Sequence, residues 1–165
     1  MARIVPPTGG EKESLLAALE RHRDAIDWKL AGLTDEQLRQ SVLPSPITPI
    51  GLVKHLAAVE FGWFCDTFGR PSEPLPFDLD DENADFRLEP DETPADMIAF
   101  WGRARAAANA AVDEIDLDET GTAWFGEEVS MRWVMIHMVE ELARHAGHMD
   151  VMRELIDGAV GDHDR

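Results

Sequence analysis

Residues 136–156, IHMVEELARHAGHMDVMRELI, decide the fold of this 165-residue chain. One helical residue turns roughly 100°. Counted from His137, Glu141 then falls near roughly 40°, His145 near roughly 80° and His148 near roughly 20°. Val134, Met138, Met149, Met152, Leu155 and Ile156 occupy the same sector, within roughly 0–120°. The stretch is therefore an amphipathic helix whose core-facing stripe carries two or three imidazoles and a carboxylate. Polar groups in such a stripe need partners or a task. Histidine and carboxylate in register are suited to holding a metal ion.

Three further long helices are expected around it. The first covers residues 11–31, opened by Thr8 with Glu11 and carrying Leu15, Leu16, Leu19, Ile26 and Leu30 on its apolar side. Thr34 begins a short helical piece through the capping-box pattern TDEQ. Prolines in SVLPSPITP (residues 41–49) exclude a helix there. The second long helix has Thr48 as N-cap and Pro49 at its first position, and runs to about Phe68, with Gly69 as its stop. Residues 70–92 are rich in Pro and Asp and form one long loop, of a length that is often functional. Thr93, Pro94 and Asp96 open the third, Ala-rich helix, which ends near Ile115. A second loop spans 116–128, and the last helix runs from Ser130 to just before Gly158. The final GDHDR is a loose tail. No strand or repeat is expected.

Four amphipathic helices in a single domain, residues 1–165, give an all-α class and a four-helix bundle, with loops long enough for crossover connections. Hydrophobic residues make up 44% of the chain, so a sizeable core is affordable. The formal charge is −18. Such a chain repels nucleic-acid phosphates and anionic membrane surfaces. No apolar run is long enough to span a bilayer, and MARIVPPTGGEKE lacks the apolar centre of a signal peptide, so a cytoplasmic protein is expected. The single cysteine, Cys65, excludes an internal disulfide and reads as a small buried residue.

His55 on the second long helix aligns with Leu52, Val59 and Trp63 and faces inward. His55, Glu141 and His145 would make a His₂Glu ligand set, and three protein ligands leave a coordination position open for chemistry. Glu141 and His145, four apart, share one side of their helix. His148 suits a ligand, a substrate contact or a donor behind the ligands. His137 lies two turns before His145 and suits a supporting role, while His22 and His163 read as solvated. The five tryptophans read as core or pocket wall. Glu60, Arg144, Asp150 and Arg153 are the charged residues nearest the site, the two arginines most simply in surface ion pairs. Zincin, ferritin-like, phosphate-loop and nucleophile-elbow motifs are absent.

At these residues the chain resembles the DinB/YfiT-like superfamily, closest to its actinobacterial uncharacterised branch, the mini-circle proteins. GLTDEQLRQ (32–40), GLVKHLAAVEFGWF (51–64) and SMRWVMIHMVEELARHAGHMDVMRELIDG (130–158) carry the resemblance. It implies a crossover four-helix bundle with a divalent metal near one end. Many members use three histidines. Here His55, Glu141 and His145 occupy the matching positions, and the Glu makes the set similar to that of mycothiol-dependent maleylpyruvate isomerase. The resemblance implies a thiol S-transferase or isomerase using mycothiol or a similar small thiol on a small electrophile, with His148 shuttling a proton. Zinc is the first expectation, and nickel, iron or manganese also suit the donors. Relatives are often dimers, so a homodimer is a further expectation. Metal-assisted hydrolysis, with Glu60 or His148 as base, and a non-catalytic metal-stabilised bundle are the alternatives.

Overall fold

A computed structural model describes residues 4–161. The fold is the all-α bundle that the periodicities predict. Its helices are α1 (Glu11–Leu30), the short α2 (Asp35–Leu38), α3 (Pro49–Phe64), α4 (Pro94–Glu114) and α5 (Met131–Asp157). The described chain forms two compact units. One contains residues up to Pro49 together with those from Met135 onward, and the other is Ile50–Val134. No helix is long and apolar enough to cross a membrane among the described residues.

In the first unit, Leu19, Ile26 and Leu30 of α1 and Met135, Met138, Leu142, Met149 and Met152 of α5 are buried. Two cations tie α5 to the C-terminal end of α1. Arg153 Nη1 donates to the carbonyls of Lys29 (2.5 Å) and Ala31 (2.9 Å), and its Nε donates to Asp157. It thereby satisfies carbonyls that a helix end leaves without partners. Lys29 is buried and pairs with Asp150 at 2.8 Å. Arg153 and Asp150 thus face α1, and the surface-pair expectation for Arg153 gives way to a buried cap. Leu155, expected in the core stripe, is 59% exposed, because it lies at the stripe's edge where α5 approaches its end.

α1 begins at Glu11 as expected, but its N-cap is Gly10, whose N–H donates to Glu13 (3.3 Å), and not Thr8. The Thr34–Gln37 capping box of α2 is formed in both directions.

In the second unit α3 and α4 meet through the stacked rings of Phe61 and Phe100, 5.6 Å apart. Thr93 and Asp96 exchange the capping-box bonds that begin α4. α3 stops at Phe64, four residues earlier than expected, and a 3₁₀ turn over Asp66–Phe68 leads to Gly69 at φ 64, the left-handed conformation that suits glycine. A hairpin of β1 (Thr120–Thr122) and β2 (Glu128–Ser130) interrupts what the sequence presents as a loop. Gly121 is required there, since a Cβ would lie 2.2 Å from the Thr67 carbonyl oxygen. Ser130 Oγ then accepts the Trp133 N–H and starts α5.

Trp101 is core, 2% exposed, but Trp124 is 86% exposed at the hairpin turn, contrary to a core or wall role. Trp63 sits between Phe125 and Trp133, at centroid distances of 6.3 and 5.4 Å. Cys65 is buried as expected, and burial raises its thiol pKa.

Candidate metal centre

His55 lies in the middle of α3, where the helix is buried on nearly all sides. Its Nδ1 is 2.6 Å from Oδ2 of Asp85. Its ring stacks on Phe86, centroids 4.1 Å apart and planes 13° from parallel. Both partners belong to the 3₁₀ turn Ala84–Phe86 inside the long loop. The adjacent residue, Lys54, is buried as well. Its Nζ donates to the Arg87 carbonyl (2.8 Å) and to both oxygens of Glu92 (2.8 and 2.6 Å). One turn of α3 therefore grips the loop at two points.

On α5 the helical spacing places Glu141 beside His145, with Oε1 and Nε2 2.9 Å apart. His145 is buried, and Glu141 is partly exposed. His148 follows one turn later, its Nδ1 3.3 Å from Nδ1 of His145. Burial lowers the pKa of His148. The neighbouring His145 and Arg144 lower it further, and Glu141 opposes them more weakly. The ring is therefore neutral at pH 7.

Among the described residues the donors suited to a metal ion are Glu141 and His145, side by side on α5, and His55 on α3. Two imidazoles and one carboxylate are a donor set suited to a divalent transition ion. All three stand on helices, which hold first ligands more rigidly than loops do. The residues therefore fit a metal ion on donor chemistry.

A family model described as mycothiol-S-transferase matches residues 14–158. The chain belongs to the mycothiol S-transferase family. That family lies within the DinB/YfiT-like superfamily. No curated protein matches the chain.

Within this mycothiol S-transferase family member, the other candidates divide clearly. His137 is half-buried and outside the three-donor group. His22 is half-buried, and His163 lies outside the described residues. Glu60 is fully buried in α3. Arg144 is exposed and acts on the site through its charge on His148. Sequence reasoning missed Asp85 and Lys54. Asp85 lies in an aperiodic acidic stretch where nothing marks it among Asp78, Asp80 and Asp81. Lys54 did carry a signal: a lysine between Val53 and His55 on a helix with almost no polar face.

Proposed function

We propose that this protein joins a small thiol of the mycothiol class to a small electrophile, or isomerises a substrate through such an adduct. A divalent metal, zinc before nickel, iron or manganese, would be held by His55, Glu141 and His145. The pairing of Glu141 with His145 on α5, Oε1 and Nε2 2.9 Å apart, is the observation that carries this function. Membership of the mycothiol S-transferase family supports the thiol.

When bound, the ion would supply the Lewis acidity that keeps a coordinated thiol deprotonated near neutral pH. The chain's own residues do the rest. Glu141 contributes the one negative charge among the three donors. His148, whose pKa is lowered chiefly by burial, accepts the thiol proton. Its Nδ1 faces His145, so Nε2 is the atom assigned to that proton. The new C–S bond forms on the electrophile. A leaving group departs with its electron pair, or an alkene carbon takes the proton back from His148. A cytoplasmic setting, where small thiols stay reduced, suits this chemistry.

The test is elemental analysis of protein purified without a metal-affinity tag, followed by assay with zinc, mycothiol and a panel of activated alkenes and halides. About one equivalent of metal is expected, with adducts formed only when the thiol is present. Turnover without thiol would favour hydrolysis instead. Metal-free, inactive protein that cannot be reloaded would overturn the proposal.

A further inference from the structure

We propose that Asp85 is the positioning residue of this centre, fixing the His55 ring so that Nε2 is the unprotonated nitrogen offered to a divalent cation. This rests on the assignment of His55 as a ligand. A neutral imidazole carries one proton on one of two nitrogens, and only the other can bind a metal. Asp85 Oδ2 lies 2.6 Å from Nδ1. A carboxylate accepts and does not donate, so the proton belongs on Nδ1. Asp85 is 6% exposed, which shields this bond from competing water. The Phe86 face at 4.1 Å fixes the plane of the ring.

The loop that brings Asp85 here is itself anchored. Lys54 Nζ holds the Arg87 carbonyl and the Glu92 carboxylate. Since Lys54 and His55 are consecutive, the residue that anchors the loop and the residue that the loop orients move together. A carboxylate behind a ligating imidazole also raises its basicity. If Asp85 were only a loop anchor, its loss would loosen the loop and leave the choice of nitrogen untouched.

The experiment compares the full-length wild type with Asp85→Ala and Asp85→Asn. First, ¹⁵N-resolved imidazole NMR of metal-free protein reads the His55 tautomer without any metal. The wild type is expected to carry its proton on Nδ1. Asp85→Ala should shift it toward Nε2, and Asp85→Asn, which keeps an acceptor oxygen, should restore Nδ1. Second, zinc is titrated against a chromophoric chelator. Asp85→Ala should bind about 10–100-fold more weakly, with Asp85→Asn in between. An Nε2-protonated wild-type His55, or unchanged zinc affinity in Asp85→Ala, would overturn the role of Asp85 and leave the metal centre standing. A wild type that binds no zinc would overturn both.

Discussion

At the scale of single residues, the proposed ligand set rests on helical arithmetic. Glu141 and His145 are four apart, and His55 sits on an inward face. Replacing Glu141 with Gln should lower zinc affinity at least about tenfold while helicity by circular dichroism stays unchanged, because the charged donor is lost and the shape is kept. Asp85 was not legible, for a physical reason: its neighbours in the chain have no period, and its place is set by a contact 30 residues away. The burial of Lys54 rests on a partner 38 residues away. Truncating Glu92 to Ala would leave that ammonium buried without its carboxylate. Urea unfolding should show a loss of about 3 kcal/mol, far above the effect of an exposed ion pair.

At the scale of elements, the helices were legible to within a few residues where caps mark them. The capping box at Thr93 and the glycine stops at Gly69 and Gly158 are local chemistry. The hairpin was not, since strands of three residues are too short to show alternation and the seat of β1 depends on Gly121 meeting the Thr67 backbone. Arg153, which reads as a surface cation on α5, instead caps α1 124 residues earlier in the chain. Arg153→Ala should cost about 2–3 kcal/mol in thermal or urea unfolding, since it removes charge-assisted bonds to two carbonyls and a carboxylate. The same group sets a pH dependence. Hydrogen bonding from Arg153 lowers the Asp157 pKa. A carboxyl depressed in the folded state stabilises it above its unfolded value, near about 3.9, and that stabilisation fades as pH falls through the folded value. Asp157→Asn and wild type should therefore differ in melting temperature at pH 7 and converge as pH falls through the lowered folded value. A constant difference across that range would remove the ion pair from the account.

At the scale of the whole molecule, the formal charge of −18 competes with local pairing. Several ion pairs among the described residues are exposed, such as Arg103–Glu73 and Arg87–Asp81, and each is worth roughly 0–1 kcal/mol. Self-repulsion among 33 acidic residues acts on the entire fold. Screening should relieve more repulsion than it removes attraction, so raising salt at pH 7 should raise the melting temperature by a few degrees. A fall would show the pairs dominate. The bulk reading of class and charge needed only composition and periodicity, whereas the pairing pattern needed the folded chain. The buried Cys65 has a consequence for the proposed handling of electrophiles. With its sole thiol inside and held protonated, the molecule presents no accessible thiolate of its own to compete for an electrophile. It should survive many turnovers without self-alkylation. Intact-mass spectrometry after prolonged incubation with a reactive halide should show no added mass.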